Sequence, residues 1–273
     1  MIAFSNPAFS TGLVEIPKVT TSPVMTMHGD DRRDYGGLRL EPLPGTESEA
    51  SFLKANAAKW NVLEKCFRGG AATEVEVRAL QSPYILHLAT HGFFLPSPIA
   101  TKGDASTPVS PKSGPAPLNN PMQRSGLALA GAQATLDAWK RGEVPPAEND
   151  GILTAQEVGD LNLQNTWLVV LSACDTGIGE ARNGEGVLGL RRGFVQAGAK
   201  NLLMTLWPIS DKWSVEIMKA FYEKAMVSGD APQAMADVQA EWLSRLRKEK
   251  GVLIAARIAG PFVLSTRGRQ STK

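Results

Sequence analysis

The sequence predicts a mostly parallel α/β sheet with helices on both faces, on three observations. Four apolar runs, "MIAF" (1–4), "YILHLAT" (84–90), "TWLVVLSAC" (166–174) and "KNLLMTLW" (200–207), lack the strict alternation of a half-solvated sheet. Runs of that kind suit parallel strands covered on both faces. Amphipathic helical patterns lie between and after them, which argues for a doubly wound arrangement.

Taken in order, "ESEASFLKANAAKW" (47–60) and "ATEVEVRALQ" (72–81) read as helices between the first two strands. Thr154 and Glu157 form a capping-box pattern that starts a short helix. "GVLGLRRGFVQAG" (186–198) follows the third strand. In the next helix Trp213, Ile217, Ala220, Phe221 and Lys224 keep helical spacing, and Met235, Val238, Trp242 and Leu246 repeat it in the one after. "PFVLS" (261–265) reads as a late strand. One domain is expected over 1–265. Within it, residues 96–125 are dense in Pro, Ser, Gly and Lys and read as a mobile loop, and about 132–150 reads as a second polar insertion. Residues 266–273 form a short, flexible basic tail. No internal repeat is visible.

The bulk numbers exclude several classes. A chain of 273 residues with 43% hydrophobic and 21% charged residues is an ordinary packed globular protein. Net charge is +2 and basic residues are scattered, so no electrostatic footprint for nucleic acid is present. Two cysteines, Cys66 and Cys174, are too few for a disulfide framework and suit a reducing compartment. The first ten residues lack the basic start of a signal peptide, and no run reaches the ~20 apolar residues of a spanning helix. A cytoplasmic location away from membranes is the expectation.

Two of the three histidines, His87 and His91, fall at the end of the second apolar run. Their spacing of four would suit zinc on a helix. On a strand, at ~3.3 Å per residue, it leaves them roughly 13 Å apart. No metal or other cofactor is expected. The glycine-rich loop 177–189 also fails as a phosphate site. Arg182 stands where a dinucleotide fingerprint needs glycine, and Glu185 stands where a phosphate loop needs lysine. The remaining pair is His91 with Cys174, each at the C-terminal end of a predicted parallel strand, where α/β sheets place their sites. A thiolate nucleophile requires an imidazole to exchange its proton. His87 reads as a packed strand histidine satisfied by hydrogen bonds, and Cys66 as structural.

"YILHLATHGFF", "SGLALAGA", "DGILTAQEV", "LVVLSACDTGIGE", "GEGVLGLRRGF" and "LLMTLWPISD" resemble, in that order, the blocks of the CHAT domain. This is a caspase-like family, related to caspases and separase, often attached to tetratricopeptide repeats. "LEPLPGTESEA" (40–50) is similar to the family's lead into its first helix. The resemblance implies a caspase-like fold and a cysteine endopeptidase using a Cys–His dyad, with His91 as general base and acid and Cys174 as nucleophile. By similarity to caspases, the amides of Gly92 and Cys174 would form the oxyanion hole. No Asp or Asn stands out as a third member.

The resemblance also implies that Ser172, two residues before the nucleophile, lines the pocket for the side chain preceding the scissile bond. Being small and neutral, it argues for a neutral or apolar preference. Asp175, Glu180, Glu185 and Asp211 are nearby charges. Asp211 reads first as a helix N-cap, and Trp207 as either pocket wall or core. "SACDTG" replaces the caspase "QACRG", so Asp-directed cleavage is not implied. Ala259 stands near the place of the family's aromatic residue before the last strand. The loop 96–125, directly after His91, is expected to gate access or to be clipped. The expected partners are a protein or peptide substrate and a repeat-containing sensor module. The competing reading is a catalytically silent interaction domain on the same fold.

Overall fold

A computed structural model of the chain describes residues 1–10, 39–94, 120–141, 143, 149–172, 185–207 and 209–267, with backbone alone at 94, 121, 140 and 185–187. Among the described residues, six strands form the main sheet: β1 (Ile2–Pro7), β2 (Lys65–Gly69), β3 (Ile85–Ala89), β7 (Leu168–Leu171), β8 (Asn201–Thr205) and β9 (Phe262–Thr266). Their order is β2-β1-β3-β7-β8-β9. All neighbours run parallel except the antiparallel pair β8 and β9. The four apolar runs and "PFVLS" thus become strands, as expected, and the fold is α/β. Strand β2 was not legible because "KCFRG" buries only Phe67 at the sheet edge.

Three short antiparallel strands make a second sheet, ordered β4 (Gly92–Phe94), β5 (Ser125–Ala128) and β6 (Ile152–Thr154). Three or four residues are too few to show a period, so sequence reading passed over them.

The helices are α1 (Pro44–Asn56), α2 (Glu74–Arg78), α3 (Pro121–Arg124), α4 (Ala132–Lys140), α5 (Ala155–Val158), α6 (Glu185–Ala197), α7 (Asp211–Ser228), α8 (Ala231–Lys250) and α9 (Val252–Ala259). Helix α1 starts earlier than expected, with Pro44 in its first turn, where a missing N–H costs nothing. The capping box of α5 is present in full. Two stretches expected as loop are partly helical. Asn120 caps the turn α3 through the Met122 N–H at 3.0 Å, and Ser125 already belongs to β5. Helix α4 buries Leu136 and Trp139 beside Phe9, Phe93 and Ile152, which supplies the apolar stripe that its polar neighbours obscured. Thr266, placed in the tail, pairs with Asn201 in β9. Ala259 is buried in the core before β9.

Successive strand residues face opposite layers. Ala3, Ile85, Val170 and Leu203 join the core under α1, α7, α8 and α9, with Phe221, Tyr222, Met235 and Val238. Phe4, Leu86, Leu88, Val169, Leu171 and Leu202 join the opposite core, with Val77, Val158 and Phe194. Each fully buried Leu, Val or Phe contributes about 1.5–3 kcal/mol. The alternation fixes which layer each polar strand residue must face.

One polar cluster lies apart from these cores. Glu74 at the start of α2 is fully buried and pairs with Arg78, which also bridges Glu157 at 2.7 Å. Burial outweighs Arg78 and raises the Glu74 carboxyl to about 7. Burial and Glu74 itself push Asp150 well above the usual carboxylate range. A carboxyl with a raised folded pKa stabilises the fold at low pH, and that contribution falls as pH climbs from about 4.5 through about 7. For Glu74 alone the loss is on the order of 3 kcal/mol. Glu74→Gln is therefore expected to flatten the decline in stability across this window, read as urea midpoints at a series of pH values. An unchanged slope would show that Glu74 does not carry the linkage.

Candidate active site

The site is assembled where β3 hands the chain from the main sheet to the small one. Thr90 and His91 form that crossing, and both are held by Ala128 of β5. The Thr90 hydroxyl donates to the Ala128 carbonyl, and the Ala128 N–H donates to the His91 carbonyl at 2.9 Å. With its backbone fixed, the His91 ring is 1% exposed and lies 5.1 Å from the Phe9 ring. Its Nε2 is 2.6 Å from the carbonyl of Glu41. A carbonyl only accepts, so Nε2 carries the hydrogen, and Nδ1 is the ring nitrogen suited to proton exchange. Leu40 in turn donates to the Gln133 side chain at 2.9 Å, and Leu43 to the Asn6 side chain at 3.1 Å, which fixes the segment carrying that carbonyl.

Gly92 opens β4 opposite Leu127. Because Ala128 N–H bonds the His91 carbonyl, Gly92 and Leu127 form a non-hydrogen-bonded antiparallel pair. The Gly92 N–H therefore points away from β5, which among the described residues is the one strand paired with β4.

His87 and His91 have separate roles. On β3, His87 is fully buried, with Nδ1 3.0 Å from the Tyr222 hydroxyl and Nε2 3.0 Å from Glu49 Oε2. This is the hydrogen-bonded strand histidine expected. A carboxylate only accepts, so Nε2–H donates to Glu49, while burial and Glu49 push the Tyr222 hydroxyl well above its ordinary range and keep its proton on beside Nδ1. Glu49 also accepts from the Ser172 hydroxyl at 2.9 Å and, at 3.4 Å, from Ser214.

Ser172 lies just beyond the end of β7 and is 5% exposed. Its N–H donates to the Leu88 carbonyl at 3.0 Å, continuing the β3–β7 ladder, while its hydroxyl is turned inward to Glu49. Trp207, past the end of β8, is 38% exposed, and its indole N–H donates to the Arg257 carbonyl at 3.0 Å. Asp211 opens α7, but the N-cap is Ser210, one residue before. The Asp211 carboxylate instead accepts from the Gly45 N–H at 3.3 Å, in the first turn of α1. Its charge thus sits at the N-termini of two helices. Gly45 is required by this approach, because a Cβ there would lie 2.5 Å from the Asp211 side chain.

His91 and Gly92 thus follow the C-terminal end of β3, Ser172 that of β7 and Trp207 that of β8, while Asp211 opens α7. Cys174, Asp175 and Glu180, most of the 96–125 loop, part of the 132–150 segment and residues 268–273 lie outside the described residues, as does the Glu185 side chain. Among the described residues, Cys66 is a free cysteine near Ser5 and Arg68, distant in the sheet from these strand ends. Among them, too, no group of three or more His, Cys, Asp or Glu is placed to hold a metal ion, and no helix is long and apolar enough to cross a membrane.

Sequence reading missed Glu49 and the Glu41 carbonyl. Glu49 did leave a signal: it shares the buried stripe of α1 with Thr46, Ala50 and Leu53, a charged residue at a core position. A backbone carbonyl leaves none.

A doubly wound α/β domain with an oriented histidine at the C-terminal edge of its parallel strands is the class that fold and site define. The pattern of the CHAT domain matches residues 2–258, and the chain belongs to that caspase-like family. Human tetratricopeptide repeat protein 28 is 27% identical over 234 residues, which is 85% of this chain and 9% of that protein. Its mouse counterpart is 29% identical over 204 residues, 72% of this chain and 8% of that protein. The chain spans less than a tenth of these curated relatives.

Proposed function

We propose that the protein is a cysteine endopeptidase in which Cys174 attacks a peptide carbonyl and His91 moves the proton. The observation that carries this reading is the register of two adjacent strands. β3 and β7 pair in parallel with an offset of 83 residues, as in Ile85 opposite Leu168, and Ser172 still bonds Leu88 beyond the strand end. Cys174 follows His91 by the same 83 residues. Adjacent strands lie about 4.7–4.9 Å apart.

In this mechanism His91 Nδ1 takes the thiol proton, and the thiolate forms a C–S bond to the carbonyl carbon. The oxyanion is met by the N–H groups of Gly92 and Cys174, each worth roughly 2.7–4 kcal/mol by analogy with other oxyanion holes. Collapse breaks the C–N bond as His91 returns the proton to the leaving amine. Water, deprotonated by His91, then hydrolyses the thioester. The Glu41 carbonyl supplies the orienting third group, which explains why no Asp or Asn was found for it.

Ser172, Asp175, Trp207 and Asp211 would border the substrate pocket. Ser172 commits its hydroxyl to Glu49, and the charge of Asp211 is committed to helix ends. Both features support a neutral or apolar preference. A thiol nucleophile suits the reducing cytoplasm. The relatives' name and length support control by a tetratricopeptide-repeat module.

A thiol-directed peptide acyloxymethyl ketone tests the reading. Labelling is expected on Cys174 and is expected to vanish in His91→Ala. No labelling or cleavage, with partner binding intact, would favour an interaction domain instead.

A further inference from the structure

We infer that the tip of the hairpin between α8 and α9 is a docking surface for an anionic lipid bilayer. The inference stands apart from the peptidase reading. Helix α9 is apolar nearly all round. Ala255, Ile258 and Ala259 face the core, while Val252, Leu253 and Ile254 are 64%, 83% and 45% exposed. A helix apolar on every side is ordinarily buried, so among the described residues the outer side of α9 lacks its cover. The tip also stands clear of the rest of the domain. Gly251 turns the chain from α8 into α9 at a φ of 86°, and a Cβ built there would have no atom within 4 Å beyond its chain neighbours. The three large apolar side chains therefore form a convex tip rather than a groove.

Basic side chains bracket this tip. Arg247, Lys248 and Lys250 lie in the last turn of α8, and Arg257 in the last turn of α9. All four are exposed, and Glu249 is the one acidic residue between Arg247 and Arg257. Among the described residues none of the four takes part in an ion pair. Cations in a last helical turn suit the helix dipole, but the dipole gives no reason for three apolar residues to stand in water beside them. A bilayer surface answers both features. Its anionic headgroups meet the cations and its acyl boundary takes the apolar side chains, as for a helix lying in the interface. Other occupants fit less well. A second copy docked through the same patch would set the four cations against their own counterparts. Protein interfaces are depleted in lysine, of which this patch holds two. No helix among the described residues is long and apolar enough to span a membrane, and contact at its surface requires none.

Co-sedimentation with sucrose-loaded vesicles tests the inference, using phosphatidylcholine with and without phosphatidylserine, each at low and high salt. The proteins are wild type, Leu253→Asn, the double variant Lys248→Gln/Lys250→Gln, and Leu63→Asn. Leu63 is an exposed leucine before β2, at the opposite end of the strand order from β9, and controls for stray apolar contact. Every substituted residue is exposed, so the unfolding midpoints should match wild type. Wild type is expected to pellet with the phosphatidylserine vesicles alone, and less at high salt. Leu253→Asn should weaken partitioning about tenfold. The double lysine variant should weaken it about twenty-fivefold, at roughly fivefold for each charge near such a surface. Leu63→Asn should bind as wild type does. Absence of wild type from the phosphatidylserine pellet would overturn the inference. So would pelleting that Leu253→Asn and the lysine variant leave unchanged, since the contact would then lie elsewhere. A dimer in analytical ultracentrifugation that Leu253→Asn dissolves, with no vesicle binding, would assign the tip to a second copy instead.

Discussion

Replacement of His91 by alanine is expected to lower kcat/KM for peptide cleavage by about 10²–10⁴-fold, the usual contribution of a placed general acid–base group. The ring is held at its backbone by Ala128 and at Nε2 by the Glu41 carbonyl, so in the proposed mechanism nothing is spent on orienting it. Without the imidazole, the thiol must ionise unaided. The fold should survive, since His91 lies in a crossing between sheets rather than in either large core. Rates and pH profiles on a peptide selected from a diverse library decide the matter. A variant that keeps wild-type kcat/KM would exclude His91 from the chemistry.

The second large effect concerns stability. Glu49→Ala is expected to destabilise the protein by about 2–5 kcal/mol. It deprives the buried His87 Nε2–H and the Ser172 hydroxyl of their acceptor, at roughly 1–3 kcal/mol for each unsatisfied group. Against a total stability of ~5–15 kcal/mol, that is a large share. Glu49→Gln should cost less, because its amide oxygen still accepts from one of the two. Urea denaturation separates the cases, and equal midpoints for Glu49→Ala and wild type would show that water or a rearranged core satisfies the network.

Legibility in the sequence followed length and burial. The long apolar runs became β1, β3, β7 and β8, because a strand buried on both faces must be apolar throughout. β2 was hidden by its polar edge, and β4 to β6 by their brevity. At the site, His91 was marked by its place at a strand end and Gly92 only by the family resemblance, whereas their supports were not marked. The orienting group is a backbone carbonyl, and the link from Ser172 reaches Glu49 across 123 residues. The Asp211 carboxylate joins α7 to the start of α1 rather than capping its own helix, a tertiary choice that local propensity does not encode.

The most direct test of the account is a disulfide. In a Cys66→Ser background, His91→Cys places a second thiol at the proposed register partner of Cys174. If the register of β3 and β7 continues past the ends of both strands, as the proposed dyad requires, the two Cα atoms fall within the range of about 4.4–6.8 Å that a disulfide spans. Mild oxidation should therefore give an intramolecular bond, seen as loss of both alkylatable thiols in a monomeric, folded protein. Two thiols that stay free under oxidation, or that join only between molecules, would contradict the dyad.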